Sequence, residues 1–227
     1  MSDKLFIFDI ETAPLPLEQI EEVAPEFKPE SIKVGNLSIE KAQAKITAAR
    51  DSHLTRITES AALHAEYGQV VSIGTILGSE EMLFITDNEA TKIAGFWHQA
   101  EEAAASGYQM VGHNIFGFDL PFLVRRSYTL GIKPPGFLMP SRGRYWGYPW
   151  FDTMAAWSLG DFQSRISLDR FAKHLGLEGK SGSGKYYYKL LEENPDEAIA
   201  YLRQDLKVTK AVAEKIIPLL KDSEVGR

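Results

Sequence analysis

Cysteine is absent from this chain of 227 residues, and so is any long apolar run. The lack of thiols excludes disulfide bonds and thiolate-zinc sites, and it gives no sign of an oxidising compartment. The apolar run at residues 5–8 stops at Asp9, which makes it far too short for a signal peptide or a membrane span. We therefore expect a cytoplasmic protein without a membrane partner.

The chain also lacks an excess of positive charge. Its 25 Lys and Arg residues are outnumbered by 31 Asp and Glu residues, for a formal net charge of -6. A general nucleic-acid coat protein is normally basic, so this balance argues against that class. It does not argue against a nuclease whose acidic site binds metal, in which basic contacts are local. The segment 141–150, with Arg142 and Arg144 among aromatic residues, is the candidate for such contacts.

The apolar pattern predicts an α/β fold with a mixed sheet of about five strands flanked by helices. The first strand is apolar on both sides, as in a strand that is covered on both faces of a sheet. The predicted strands are 4–10, 69–77, 81–86, 109–113 and 150–152, and the second and third form a hairpin through Gly78. The predicted helices include 88–105, 119–130 and 197–220.

Residues 14–65 interrupt this pattern. The stretch is rich in proline at first, and a long polar helix is then predicted from Ser38, a plausible N-cap, to about residue 63. The apolar stripe of this helix is thin, which favours a position at the surface. We interpret the chain as one domain, 1–227, with a helical insertion at 14–65 whose role stays open.

Two carboxylates follow the first apolar run in the sequence Phe-Asp-Ile-Glu-Thr. Asp9 and Glu11 are two residues apart on a strand, so both side chains emerge on the same face, and Ile10 packs on the opposite one. A strand end that turns into solvent would also carry acids. The four large apolar residues before Asp9 favour a buried strand that continues through both acids.

Asp119 follows the loop 114–118 at the start of a predicted helix. Acids prefer this position for structural reasons, and taken alone a capping role is favoured. Asn114 and Phe118 in the same loop favour a nucleotide contact instead, by hydrogen bonding and stacking. Asp152, between the last strand and a helix, is interpreted as a helix cap rather than a catalytic residue.

Tyr201 and Asp205 share one face of the last predicted helix, at positions i and i+4. Each acidic segment is a weak signal alone, but Asp9, Glu11, Asp119 and Asp205 all stand in apolar sequence. Burying several like charges is costly unless a cation lies between them. A carboxylate cluster suits hard cations such as Mg²⁺ or Mn²⁺, and two such ions are the apparatus for in-line attack on a phosphodiester.

The three segments resemble, in order and spacing, the three exonuclease motifs of the DEDD 3′–5′ exonuclease superfamily, whose members share an RNase H-like fold. Tyr-x-x-x-Asp at Tyr201 and Asp205 resembles the tyrosine subtype (DEDDy), because the histidine subtype has His where Ala200 stands here. By motif, the chain resembles a stand-alone proofreading domain of family B DNA polymerases, with RNase D-type enzymes next.

The resemblance implies an RNase H-like exonuclease that uses two Mg²⁺ or Mn²⁺ ions. Asp9 would bridge both ions, Glu11 and Asp205 would complete the first metal site, and Asp119 would hold the second ion, partly through water. The first ion would lower the pKa of a bound water, and the second would stabilise the leaving 3′ oxygen. Tyr201 would orient the attacking water.

The expected substrate is DNA, preferably single-stranded at its 3′ end, from which nucleoside 5′-monophosphates are released. An exoribonuclease of the RNase D type and a decayed nucleic-acid-binding protein are the alternatives, and the presence of all four acids and the tyrosine argues against the second. A protein partner cannot be predicted. The candidate substrate contacts are Ile10, Thr12, Asn114, Phe118, Arg142, Arg144 and Lys185.

Lys185 stands in a glycine-rich stretch, 179–185, that mimics a phosphate-binding P-loop. The stretch lacks the Ser or Thr that should follow the lysine, since Tyr186 is there, and no strand precedes it. We therefore reject the binding of nucleoside triphosphates. A loop that touches substrate phosphates and a plain linker between helices are equally open.

Overall fold

The computed structural model describes residues 4–86, 88–139, 147–179 and 187–220. The chain divides into two compact units, one made of Met1–Glu11 with Val70–Arg227 and the other of Thr12–Gln69. The second unit contains the predicted 14–65 insertion. Across the described ranges, no helix combines the length and the apolar character needed to cross a membrane.

The strands are β1 Leu5–Pro14, β2 Gly68–Leu77, β3 Glu80–Phe84, β4 Gln109–Gly112 and β5 Trp150–Asp152. They form one sheet in the order β3-β2-β1-β4-β5. The pairs β1–β4 and β4–β5 are parallel, whereas β2 and β3 form an antiparallel hairpin. The predicted mixed sheet of about five strands is confirmed.

Nine α-helices accompany the sheet in the described part of the chain. They are α1 Leu17–Val23, α2 Ile39–Asp51, α3 His53–Ser60, α4 Glu89–Ala105, α5 Asp119–Leu130, α6 Thr153–Ser158, α7 Leu168–His174, α8 Tyr187–Glu193 and α9 Pro195–Leu220. The helices that follow the hairpin agree with the sequence pattern. In particular, α4, α5 and α9 begin and end within two residues of the predicted positions.

The single long helix predicted after Ser38 is wrong, because α2 and α3 are separate helices joined at Ser52. The hydroxyl of Ser52 donates to the Ala49 carbonyl at 3.3 Å and accepts from Arg56 Nη2 at 2.6 Å. Such local side-chain bonds compete with regular helical bonding. Ser38 does precede α2, but its side chain makes no capping hydrogen bond.

β1 is covered on both faces, as predicted. The Phe8 ring lies 5.1 Å from the Phe96 ring of α4, and Ile7 on the other face belongs to the same buried cluster as Leu206 of α9. Successive side chains alternate along a strand, so Asp9 continues the Ile7 face. The face of β1 that carries the acids is therefore the one on which α9 packs.

Gly112 ends β4 where the backbone of β1 passes closely. A Cβ at this position would lie 2.3 Å from Cγ2 of Ile115 and 3.0 Å from the carbonyl oxygen of Phe8. We expect Gly112→Ala to lower the free energy of unfolding by about 1–3 kcal/mol through overpacking, measured by urea denaturation. Gly136→Ala is the matched control, because a Cβ there meets nothing within 4 Å. Equal losses in both variants would contradict the close approach.

Candidate functional site

Three carboxylates converge at the site. One oxygen from each of Asp9, Glu11 and Asp205 lies within 4.8 Å of the others. Asp9 and Glu11 are half-buried, and Asp205 is only 6% exposed. Three negative charges this close repel one another strongly in a partly buried setting, and a cation between them removes that penalty.

The packing of α9 on the sheet brings Asp205 to the β1 acids. A Cβ on Gly74 of β2 would lie 2.7 Å from Cδ1 of Leu206 and 3.0 Å from Cγ of Leu202, so the helix lies directly on the sheet at this glycine. Both leucines are fully buried. Asp205 stands beside Leu206 on α9, and this packing carries its side chain to the acidic end of β1.

Asp119 lies against β1 but is not a member of the three-carboxylate group. Its Oδ1 accepts a hydrogen bond at 3.2 Å from the backbone N–H of Ile10, between the two β1 acids. Phe118 is the N-cap residue of α5, and Asp119 is the first helical residue, 3% exposed. Its side chain thus bonds to the neighbouring strand, which a purely local capping role does not explain.

Burial raises the pKa of Asp119 from 3.8 to about 7, with the nearby negative charge of Asp152 as a smaller contribution. Hydrogen bonds from the backbone N–H groups of Ile10 and Asp119 itself oppose this rise. For a carboxyl with a pKa near neutrality, the protonated and charged forms are close in free energy at physiological pH. A nearby cation would favour the charged form.

Tyr201 lies one helical turn before Asp205 and is 9% exposed. Its ring centroid is 6.2 Å from that of Tyr187, the first residue of α8. The Tyr187 hydroxyl donates to Ser72 Oγ at 3.1 Å. The pKa of Tyr187 is raised to about 12, chiefly by burial and also by the negative charges of Glu11 and Asp9.

Tyr187 was missed at the sequence level. It is the middle residue of the run Tyr186-Tyr187-Tyr188. Nothing in that run predicts that Tyr187 is buried while Tyr188 is only half-buried. The electrostatic effect of Glu11 and Asp9 on its pKa identifies Tyr187 as a neighbour of the acidic site.

Asp152 organises the loop that leads to Asp119. Its Oδ1 accepts from the backbone N–H groups of Asn114 at 2.9 Å, Met154 at 2.8 Å and Ala155 at 3.2 Å. Its Oδ2 accepts from the N–H of Phe116 at 2.9 Å. The predicted helix-capping role is confirmed at the start of α6, and the same carboxylate also fixes the loop, in which Asn114 has φ 66°.

The candidate substrate contacts have different surroundings. Ile10 is a core residue, 4% exposed, and its N–H is donated to Asp119. The Thr12 hydroxyl donates to the Ala62 carbonyl at 2.6 Å. Asn114 and Phe118 are half-buried, and the centroid of the Phe118 ring lies 5.5 Å from that of Phe122, with the rings tilted by 45°. Arg142, Arg144 and Lys185 lie outside the described residues.

A cavity of about 250 Å³ opens beside the loop of Asn114. Phe116 and Met154 contribute apolar surface to it. Its polar and charged lining residues are Asn114, Asp152, Ser158, Asp161 and Arg165. A cavity with both apolar and polar lining residues suits a ligand with an apolar body and polar edges.

The carboxylate cluster fits a divalent cation. The three donors are oxygen ligands from separate carboxylates, and hard cations such as Mg²⁺ and Mn²⁺ prefer such donors. Asp9, Glu11 and Asp205 could bind one ion together.

The chain matches a protein family described as "Predicted 3'-5' exonuclease related to the exonuclease domain of PolB" over residues 50–209. This range contains Asp119, Tyr201 and Asp205, whereas Asp9 and Glu11 precede it. No curated protein matches the chain.

Among solved structures, the chain is similar to the family B DNA polymerase from the hyperthermophilic archaeon Pyrobaculum calidifontis, with a TM-score of 0.55 and 18% sequence identity. The match covers 96% of this chain and 25% of the polymerase, so the chain spans about a quarter of that protein's length. At this identity the likeness concerns the fold alone. It confirms the predicted RNase H-like sheet flanked by helices.

The family match extends over more than half of the chain, and the fold agrees with it. The predicted relation to polymerase exonuclease domains is confirmed, while the tyrosine subtype stays a prediction. The chain belongs to the family of predicted 3′–5′ exonucleases related to the exonuclease domain of PolB.

Proposed function

We propose that this chain is a metal-dependent 3′–5′ exonuclease that hydrolyses DNA from its 3′ ends, preferably single-stranded ends, and releases nucleoside 5′-monophosphates. The observation that carries the proposal is the convergence of Asp9, Glu11 and Asp205, whose oxygens lie within 4.8 Å of one another. The family match supports the proposal, because the family is described as a predicted 3′–5′ exonuclease and the matched range contains Asp205.

Asp9, Glu11 and Asp205 would hold one divalent cation, and Asp9 with Asp119 would hold a second. When bound, the ions supply Lewis acidity to the attacking water and to the leaving 3′ oxygen. The position of Asp119 supports its assignment, since its Oδ1 is bonded to the Ile10 N–H between the two β1 acids. A carboxyl with a pKa of about 7 becomes a charged ligand at little cost when a cation arrives.

Tyr201 would orient the attacking water through its hydroxyl. The ordinary pKa of a tyrosine, about 10, makes it a poor base at neutral pH, so its contribution is a hydrogen bond. The packing of its ring against Tyr187 restricts the directions in which that hydroxyl can point. Tyr201 is therefore a positioned donor or acceptor one turn away from the Asp205 carboxylate.

The DNA strand would reach the carboxylates of the site by passing the loop 114–118, which Asp152 holds in place. Asn114 and Phe118 are proposed to contact the terminal nucleotides, with the neighbouring cavity accommodating a base. Arg142, Arg144 and Lys185 are proposed to pair with phosphates. Two-metal chemistry requires the terminal phosphodiester to enter the acidic site, and single-stranded or frayed ends do this without the cost of unpairing.

Tyr201→Phe is expected to bind DNA and metal almost normally but to lose about 10- to 100-fold in turnover, or about 1.4–2.7 kcal/mol of transition-state stabilisation. The substitution keeps the ring packing and deletes only the hydroxyl. Single-turnover cleavage with saturating enzyme measures the effect. Tyr128→Phe is the control, since Tyr128 is 71% exposed. Equal turnover in the wild type and Tyr201→Phe would show that Tyr201 contributes to core packing and not to cleavage.

Digestion of single strands labelled at the 5′ end tests the function itself. The proposal predicts a ladder that shortens from the 3′ end, nucleoside 5′-monophosphate as the product, and dependence on Mg²⁺ or Mn²⁺. DNA and RNA strands of the same sequence are compared, and faster digestion of RNA would favour an exoribonuclease. A strand that stays intact with either metal, in protein shown to be folded, would overturn the proposal.

A further inference from the structure

A depression in the Thr12–Gln69 unit is lined by basic and hydroxyl side chains. Its volume is about 500 Å³, and its polar lining residues are Ser31, Lys33, Lys45, Ser52 and Arg56. The other lining residues are Ile32, Ala48 and Ala49, so none of the lining residues is acidic. Three basic residues therefore line this depression, although the net charge of the chain is -6.

Local hydrogen bonds hold two of these cations in place. Lys45 Nζ donates to the backbone carbonyl oxygen of Lys33 at 2.6 Å, which places the Lys45 ammonium beside the Lys33 backbone. Arg56 Nη2 donates to Ser52 Oγ at 2.6 Å, and the remaining N–H groups of this guanidinium can still donate. The side chains of Lys33, Lys45 and Arg56 are exposed.

Within the described ranges, none of these three cations forms an ion pair. The salt bridges in those ranges join Glu89, Glu102, Asp169, Glu81 and Glu214 to other basic residues. Like charges placed together repel, and an anion with several acceptor oxygens would relieve that repulsion. A phosphate suits the two lysines as point charges and the guanidinium as a planar donor.

We propose that this depression is an accessory phosphate-binding site, and that the phosphates it takes belong to a nucleic-acid backbone. The assignment of the ligand as a nucleic acid rests on the proposed function. The assignment of a phosphate group rests only on the positive charges of the lining residues. The depression is larger than one phosphate group, and its lining residues come from a loop and two helices. These features suit an extended nucleic-acid strand. The contacts would be independent of base sequence.

The test variant carries Lys33→Gln and Lys45→Gln in the full chain. The control carries Lys41→Gln and Lys133→Gln, which remove the same charge from exposed positions outside the depression. Binding to oligothymidylate of about 30 nucleotides is measured by fluorescence anisotropy at several salt concentrations, since a single binding fold covers about 4–16 nucleotides. Hydrolysis of a thymidine trinucleotide and thermal unfolding with added inorganic phosphate are measured in parallel.

The proposal predicts that the test pair binds the long strand about tenfold more weakly at low salt than the wild type. The slope of log K against log salt should fall by about 1.4, which corresponds to two lost phosphate contacts on a single strand. Hydrolysis of the trinucleotide should be unchanged, and the control pair should keep the wild-type slope. Equal affinities and slopes in the test and control pairs would overturn the proposal.

Inorganic phosphate is the other ligand that offers the same charged oxygens to this depression. If inorganic phosphate stabilises the wild type and not the test pair, while both bind the long strand equally, the nucleic-acid assignment is overturned. If the DNA strand is never cleaved but its binding depends on Lys33 and Lys45, the nuclease proposal is refuted and the accessory phosphate-binding site is supported. Normal cleavage with identical salt slopes would refute this site and leave the nuclease proposal intact.

Discussion

Asp9→Asn is expected to reduce cleavage by about 10³-fold or more, equivalent to about 4 kcal/mol of transition-state stabilisation, while the fold stays intact. Asp9 is the proposed ligand of both ions, and asparagine keeps the side-chain volume but removes the charge. The variant should also unfold at no lower temperature than the wild type without metal, because one of three converging negative charges is gone. Turnover is measured at saturating strand concentration.

Glu101→Gln is the matched control for this substitution. It also removes one acidic charge, from an exposed position on α4. Its turnover should equal that of the wild type. If Asp9→Asn keeps a substantial part of wild-type turnover, in protein purified free of contaminating nuclease, Asp9 does not bind a catalytic ion.

Asp119→Asn is expected to stabilise the metal-free protein above about pH 7 by up to about 4 kcal/mol, in order of magnitude. Burial raises the pKa of Asp119 in the folded protein from 3.8 to about 7. Folding therefore becomes less favourable once this carboxyl must ionise inside the protein. Asparagine cannot ionise, and its side-chain oxygen can still accept the Ile10 N–H.

The effect of Asp119 on stability has a defined pH window. Between about pH 4 and about pH 7 the folded protein binds a proton that the unfolded chain has released, so the free energy of unfolding falls as pH rises. Below this window Asp119 is protonated in both states and adds no such penalty. Above it the penalty is complete and constant.

Urea denaturation of both proteins in a metal chelator, at a series of pH values, measures this difference. The stability of Asp119→Asn minus that of the wild type should grow from pH 4 to pH 7 and then level off. Titrating groups remote from Asp119 cancel in the difference, whereas Asp152, whose charge acts on Asp119, does not cancel completely. Two parallel stability curves would show that Asp119 ionises in the folded protein as easily as in the unfolded chain.

The β1 acids could be predicted because local rules decide their position. Strand alternation places Asp9 and Glu11 on one face, and the large apolar residues before them predict a buried strand. The positions of the strands and of the helices after the hairpin also followed from apolar periodicity, whereas the order of the strands in the sheet was not predicted. Asp205 was harder, since its approach to β1 depends on how closely α9 lies on Gly74. Only its combination with the other segments made it a candidate.

The remaining features depend on tertiary contacts that periodicity does not encode. Asp119 bonds to the N–H of Ile10, more than a hundred residues away in the chain, and it is not a member of the group of three carboxylates. Tyr187 enters the core by bonding to Ser72 on β2. Ser52, at the break between α2 and α3, makes side-chain bonds that a polar helical pattern cannot distinguish from solvated hydroxyls.

Thermal unfolding during a titration with Mg²⁺ or Mn²⁺ tests most directly whether the three converging carboxylates bind a cation. The midpoint of wild-type unfolding should rise with metal, by an amount equivalent to about 2.7 kcal/mol when the ion is present at about 100 times its dissociation constant. Asp9→Asn should show little or no rise, and Glu101→Gln should follow the wild type. An unchanged wild-type midpoint, or an equal rise in wild type and Asp9→Asn, would contradict a metal site at Asp9, Glu11 and Asp205.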